Sequence, residues 1–268
     1  DAVDNLFAQT RLLWTALERV GRWDELAESA RDWRQLSESL RDRRPDVADA
    51  LARGMSQHCD GDRATVFAEL IGSGASNPSI AETVLDAFGD ALVPAIVRIL
   101  DDPRQAARGR VLTNVLCDHA TRFAPALEAT LPTAGTVAAR AIVRALGHAG
   151  TGREAVVAAL ATRGDDQLER EVMRALARMG SHTAATFVAN HIRDTAPASG
   201  GAAEEALWHF PAPEATSQVC RLLRSRDFVL RQPAKVARLL DRATKAGAHG
   251  LNEGLAEVER LWFHFWNP

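Results

Sequence analysis

The sequence predicts an all-α fold, an α-solenoid of stacked antiparallel helix pairs that follows an N-terminal helical cap. Apolar residues recur every three or four positions, and no stretch alternates as a strand would. Four leucines in similar helical segments recur at intervals of 30 or 31 residues: they are Leu116, Leu146, Leu176 and Leu207. A period of this length is typical of architectures in which each small unit buries its apolar face against its neighbours.

Residues 1–61 predict three helices that fall outside this period and form the cap. The first helix ends at Gly21, and its predicted apolar face consists of Leu6, Leu13, Leu17 and Val20. The second begins at Trp23 and is stopped by Pro45, and a short third helix follows. The tryptophans on these helices are expected in the core: they are Trp14, Trp23 and Trp33.

Residues 62–246 predict six helix pairs, each with a turn rich in Gly, Asp, Pro or Ser between its helices. Acidic residues in these turns, such as Asp101 and Asp165, are expected to cap helix N-termini. Within the sixth pair, a turn is predicted at Arg226 and Asp227. The predicted helices are 63–72 with 80–88, 91–100 with 106–119, 123–131 with 137–149, 153–161 with 168–179, 184–192 with 203–210, and 214–223 with 234–246.

Residues 247–268 predict a last amphipathic helix that is apolar on more than one face near Trp262 and Phe265. Such a helix requires burial on several sides, which predicts self-association or packing against a further segment. The chain begins without Met and ends on apolar residues. We therefore expect one continuous domain cut from a longer polypeptide.

The composition disfavours several classes of partner. A net charge of −3 gives no overall attraction to nucleic acid or anionic lipid. No apolar run approaches the roughly 18 residues of a membrane helix. Three widely spaced cysteines, Cys59, Cys117 and Cys220, are typical of reduced, mostly buried thiols. We expect a cytoplasmic protein without a membrane partner, and the high Ala and Arg content favours a bacterial source.

One segment resembles the HEAT-repeat family: it is Val93-Pro94-Ala95-Ile96-Val97-Arg98-Ile99-Leu100-Asp101-Asp102-Pro103. In addition, Arg110, Arg140 and Arg170 each stand six residues before the repeated leucine, where that family places an arginine. The resemblance covers about 62–246 and implies a right-handed α-solenoid whose second helices line a concave surface. It departs from the family where Gly201 replaces the arginine and where only the second pair keeps the Asp-Pro turn.

Polar positions on the second helices are predicted to form a basic stripe. Positions six before, two before and two after the repeated leucine share one helix face, because steps of four residues return to it. Arginine binds carboxylate or phosphate through two parallel hydrogen bonds. The alternative is a solvated surface whose arginines pair partly with acidic residues of the same chain. In that alternative, the arginine six residues before the repeated leucine is structural. The candidate partner-binding residues are Arg140, Arg144, His148, Arg170, Arg174, Arg178, His209, Arg238 and Arg242.

Motifs for catalysis or metal binding are weak in this sequence. The clusters around His58 and around Cys117 contain ligand residue types without the spacing that directs two ligands at one ion. The sequence lacks a nucleophile elbow, a P-loop and a dinucleotide-binding glycine motif. We expect no enzyme activity, no cofactor and no metal. Trp208 is expected to pack in the core or, as the alternative, to stack on a base or sugar.

These observations favour a non-catalytic scaffold module that binds an extended, acidic protein partner along the concave face. The alternative is a DNA-binding or DNA-repair protein that resembles the HEAT-like alkylpurine DNA glycosylases, which implies a basic concave face with a catalytic acid. The net charge disfavours nucleic acid, since phosphate contacts dominate affinity for DNA. A lyase-like HEAT protein acting on a tetrapyrrole is a third alternative that no specific residue supports.

Overall fold

The structure, a computed structural model, describes residues 2–73, 78–195 and 201–245, together with positions 256, 259 and 260. These residues are almost entirely helical, and no strand occurs among them, so the all-α prediction is confirmed. The chain forms two compact units, Asp1–Ala141 and Ile142–Pro268. Apart from three isolated positions, the predicted C-terminal aromatic helix lies outside the described residues.

The first unit contains eight described α-helices and the beginning of a ninth. Gly21 adopts a φ of +72° directly after α1, a conformation that favours glycine, so the predicted end of the first helix is confirmed. The second helix ends at Leu40, earlier than predicted, and Pro45 begins α3 instead of stopping α2. The helices are α1 (Ala2–Val20), α2 (Trp23–Leu40), α3 (Pro45–His58), α4 (Asp62–Gly72), α5 (Pro78–Phe88), α6 (Val93–Asp101), α7 (Ala106–Asp118), α8 (Ala120–Thr130) and α9 (Thr136–Ala149).

The second unit begins within α9 and continues through the remaining described helices. These are α10 (Glu154–Ala158), α11 (Asp166–Met179), α12 (His182–Asp194), α13 (Gly201–Leu207), α14 (Ala212–Leu223), α15 (Arg226–Arg231) and α16 (Pro233–Lys245). The turn predicted at Arg226 and Asp227 is therefore wrong, because a short helix begins there. That helix buries Phe228 and Val229, which an open turn would leave in water.

Acidic turn residues cap helices, as predicted. Asp165 accepts hydrogen bonds from the backbone N–H groups of Gln167 and Leu168 at 2.7 and 2.9 Å, at the start of α11. The carboxylate of Asp101 instead reaches a later helix and accepts from the N–H groups of Gly135 and Ala138 at 2.8 and 2.9 Å, where α9 begins. Asp101 therefore links the end of α6 to the start of α9.

The buried face of α1 differs from the predicted one. Leu6, Leu13 and Val20 are more than half exposed, whereas Trp14 is fully buried. One residue corresponds to about 100° of rotation around a helix, so burial of Trp14 turns Leu13 outwards. The indole removes more apolar surface from water than a leucine does, which accounts for the rotation. Trp23 and Trp33 are half-buried.

One helix pair of the first unit also departs from the prediction, whereas α6 packs on α7 as predicted. The sequence pairs α5 with α4, but α5 packs mainly against α2. Alanines at positions 27 and 30 are fully buried on α2 and permit close approach. The side chains of Arg31 and Arg34 donate hydrogen bonds from α2 to the Thr83 hydroxyl and the Asp86 carbonyl oxygen on α5.

Helix pairs of the predicted kind occur in the second unit. α10 contacts α11, α12 contacts α13, and α14 contacts α16, while α12 also packs on α14 and α11 on α13. Close approach between α9 and α11 depends on Gly147, where a Cβ atom would lie 2.9 Å from the Cα atom of Ala175. First helices therefore contact first helices, and second helices contact second helices.

Candidate functional site

The predicted basic positions of the second unit lie on the exposed sides of three helices. We call this set the arginine row; it consists of Arg144, His148, Arg170, Arg174, Arg178, Arg238 and Arg242, and all seven are exposed. His209 is exposed too, but it lies two residues beyond the end of α13 and so does not share a helix face with the row. Arg140 is a half-buried residue of α9 within the first unit.

Helix α11 presents three arginines of the row on one face. Arg170, Arg174 and Arg178 follow each other at intervals of four residues, which places successive side chains about one helical turn apart. The opposite face is buried through Leu168, Val172, Leu176 and other apolar residues. Asp165 caps the start of the helix, and Gly180, which adopts a φ of +66°, ends it.

Arg144 is tied to a buried carboxylate on the neighbouring helix. Its Nε and Nη2 atoms donate to the two carboxylate oxygens of Glu171 at 2.9 and 3.1 Å, joining α9 to α11. Glu171 is only 7% exposed, whereas Arg174, 3.8 Å from the same carboxylate, is 63% exposed. One buried acid therefore serves two arginines of the row, with Arg144 in the better geometry.

Arg238 makes the equivalent connection between α16 and α13. Its Nε and Nη2 atoms donate to the Glu204 carboxylate at 2.8 and 2.7 Å, and Glu204 is buried. These hydrogen bonds raise the pKa of the Arg238 guanidinium above its usual range. Arg144 and Arg238 thus use part of their hydrogen-bonding capacity in contacts between helices. This is the self-paired arrangement that the sequence left open as the alternative for the basic stripe.

The remaining arginines of the row are more available to a partner. Arg170 uses Nε to donate to the carbonyl oxygen of Asp166 on its own helix, at 3.2 Å. Within the described part of the chain, the side chains of Arg178 and Arg242 make no hydrogen bond or ion pair. The exposed carboxylate at Glu205 on α13 interrupts the positive charge. The accessible cations therefore concentrate on α11.

A buried lysine behind this surface escaped the sequence analysis. Lys235 on α16 is fully buried, and its Nζ donates to the carbonyl oxygens of Ile192 and Thr195 and to the Thr195 hydroxyl, at 2.8, 3.1 and 2.9 Å. It satisfies the C-terminal end of α12, and burial lowers its pKa. Its spacing of four from buried Leu239 was the available signal, since that spacing places Lys235 on the buried face.

Candidate metal and nucleic-acid contacts gain little from the geometry. Among the described residues, no group of three or more His, Cys, Asp or Glu side chains could hold a metal ion. Burial raises the pKa of the Cys59 thiol to about 12, so it remains protonated at neutral pH. Trp208 is half-buried with a buried indole nitrogen, which favours core packing over stacking on a base.

The wider comparisons add no relative from which a function could be transferred. Among the described helices, none combines the length and apolar character needed to cross a membrane. The HEAT-repeat resemblance stays a prediction that rests on Val93–Pro103 and the spaced arginines. No known family model and no curated protein matches the sequence of this chain.

Proposed function

We propose that this chain is a non-catalytic protein-interaction module whose arginine row binds an extended acidic segment of a partner protein. In this proposal the helix pairs are HEAT-like and continue as a right-handed α-solenoid with the row on its concave surface. The observation that carries the proposal is the exposed face of α11, where Arg170, Arg174 and Arg178 stand one turn apart. The proposed setting is the bacterial cytoplasm.

The spacing on α11 matches an extended peptide better than a compact ligand. A step of four residues along a helix advances about 6 Å. Alternate side chains of an extended chain, which point to the same side, lie about 6.6 Å apart. A segment with acidic residues at every second position could therefore place one carboxylate near each arginine of α11, and each guanidinium can donate two hydrogen bonds.

The second candidate is a DNA-binding protein resembling the HEAT-like alkylpurine DNA glycosylases. It rests on the same arginines, because a phosphate accepts the same pair of hydrogen bonds. The net charge of −3 and the half-buried position of Trp208 support the protein partner instead. Salt dependence separates the two candidates, since affinity for duplex DNA falls steeply as salt rises.

Fluorescence anisotropy with a labelled peptide of alternating glutamate and serine tests the proposal. The double variant Arg174→Ala/Arg178→Ala should weaken binding about fivefold, because each exposed charge contact contributes about 0.5 kcal/mol. The matched control is Arg224→Ala/Arg231→Ala, which removes two exposed arginines of the same unit outside the row. Circular dichroism should show unchanged helicity in both variants.

Two results would contradict this function. Equally weakened peptide binding in the row variant and the control variant would show that binding depends only on the total charge of the chain. Tighter binding of random duplex DNA than of the acidic peptide, at about 150 mM salt where weak charge contacts are screened, would favour the second candidate.

A further inference from the structure

The first unit contains a cavity of about 640 Å³ that is unrelated to the arginine row. Side chains of α1 and α3 and of the first turn of α4 line it. Its apolar part includes Phe7 and Gly54, and its polar part includes three arginines, Arg11, Arg53 and Arg63. Among the described residues that line it, none is acidic. Half of the described lining residues are exposed, so the cavity opens to solvent, and its volume is in the range of clefts that bind small organic ligands.

Arg63 is held in place by contacts on three sides. Its Nη1 lies 3.3 Å from Nδ1 of His58, its Nη2 donates to the Thr15 hydroxyl at 3.1 Å, and its Nε lies 3.5 Å from a carboxylate oxygen of Glu18. His58 is fully buried and its Nε2 lies 2.9 Å from the other oxygen of Glu18. A guanidinium has five N–H donors, so these three contacts leave two for a ligand.

Arg11 and Arg53 add positive charge that no described side chain pairs with directly. Both side chains are exposed, and neither makes a hydrogen bond or ion pair with another residue in the described ranges. Among the described residues, Glu18 is the one carboxylate that contacts this cluster, and Arg63 and His58 share it. Burial and the charges of Arg63 and Arg11 lower the pKa of His58 to about 4, so the histidine is neutral at pH 7. The cavity therefore has a surplus of guanidinium donors.

The apolar side of the cavity is built on an aromatic support. Phe7 packs edge to face against Trp14 and Trp33, with ring centroids 6.0 and 5.5 Å away. Gly54 lies directly under the Phe7 ring, where a Cβ atom would be only 2.8 Å from the ring carbons. A small residue at this position thus lets α1 and α3 approach while the cavity stays open.

We propose that this cavity is a binding site for a small organic anion, a carboxylate or phosphate ester with an apolar body. Arg63 and the flanking Arg11 and Arg53 bind the anionic group, and the side of the cavity near Phe7 receives the apolar body. Arginine suits both anions because its planar fork matches two oxygens at once. The site is independent of the proposed acidic-partner surface, which belongs to the other unit.

Isothermal titration calorimetry with three probes tests this site: phenyl phosphate, inorganic phosphate and benzyl alcohol. Phenyl phosphate should bind most tightly, because it supplies both the charge and the apolar body. Arg11→Ala and Arg53→Ala should each weaken its binding about tenfold, as expected when a charge-assisted hydrogen bond is lost. Phenylacetate in place of phenyl phosphate distinguishes a preference for carboxylate from one for phosphate.

Arg19→Ala is the matched control, since Arg19 is exposed on the same helix as Arg11 and does not line the cavity. It should bind phenyl phosphate as the unmodified chain does. Equal binding of benzyl alcohol and phenyl phosphate, no binding of phenyl phosphate, or equal weakening by Arg11→Ala and Arg19→Ala would each overturn the proposal. Far-ultraviolet circular dichroism of each variant checks that the helices are retained.

Discussion

The helix contacts within the first unit bury different kinds of side chain from the helix contacts within the second unit. In the first unit, aromatic rings converge on Trp14, whose ring centroid lies 4.9 to 6.4 Å from those of Phe7, Trp33, His58 and Phe88. The interfaces between second helices in the second unit contain small residues and arginine–carboxylate pairs. Gly147 meets Ala175, and buried Glu171 and Glu204 accept from arginines of neighbouring helices: these are Arg144 and Arg238.

This difference explains why the repeat is visible through the second unit but absent from the N-terminal helices of the first unit. When each pair makes the same contact with the next, the same residue type returns at the same position, and the period becomes visible in the sequence. An aromatic cluster is filled once, by rings from several helices, and leaves no periodic trace. Loss of one aromatic residue should therefore damage the first unit more than loss of one row arginine damages the second.

The largest effect is expected for Trp14→Ala. The side chain is fully buried, contacts four other rings, and donates from Nε1 to the Ser29 hydroxyl at 3.0 Å. Its removal leaves a cavity that the surrounding rings cannot fill, so the free energy of unfolding should fall by about 3–5 kcal/mol. Urea denaturation followed by circular dichroism measures the change.

Leu13→Ala provides the control, because Leu13 is the neighbouring residue on α1 and is 53% exposed. The sequence pattern alone places Leu13 in the core together with Trp14, and so predicts a large loss of stability for both variants. The free energy of unfolding should change by less than about 0.5 kcal/mol in this variant. A larger loss in Leu13→Ala than in Trp14→Ala would contradict the observed rotation of α1.

The buried histidine gives the first unit a pH dependence. The pKa of His58 is about 4 in the folded chain against 6.5 in the unfolded one, so the unfolded chain takes up the proton first as the pH falls. The stability that neutral His58 provides is complete above pH 6.5 and is lost as the pH falls towards 4, by up to about 3 kcal/mol. Denaturation curves recorded between pH 4 and 7 measure this loss.

Glu18 must be separated from this effect, because burial raises the pKa of its carboxyl. The folded chain therefore takes up that proton at higher pH than the unfolded chain, which favours the folded state as the pH falls. His58→Gln removes the histidine titration and keeps Glu18. Its stability should decline less between pH 7 and pH 4 than that of the unmodified chain, and parallel pH profiles would exclude the role of His58.

The sequence predicted most helix limits because their signals are local: Gly21, Pro45, and the aspartates that cap helices. It also placed the row arginines on exposed helix faces, since steps of four residues are a property of the helix itself. It did not predict the packing of α5 against α2 or the exposure of Leu13, because both depend on which distant helices meet. For the same reason the pairing of Arg144 with Glu171 became visible only in three dimensions.

The smallest and most discriminating effect concerns the division of the row into structural and accessible arginines. Arg144→Ala leaves the buried carboxylate of Glu171 with Arg174 alone, 3.8 Å away, and should lower the free energy of unfolding by about 1–3 kcal/mol. Arg174→Ala should cost less than about 0.5 kcal/mol, because Arg174 is exposed and Arg144 still binds the acid. For the acidic peptide the order should reverse, since Arg174 is the more accessible donor. Combining Arg144→Ala with Glu171→Gln should restore part of the lost stability, because it removes the unpaired buried charge. If a double-mutant cycle shows that the two substitutions change the free energy of unfolding additively, the pair does not hold α9 to α11.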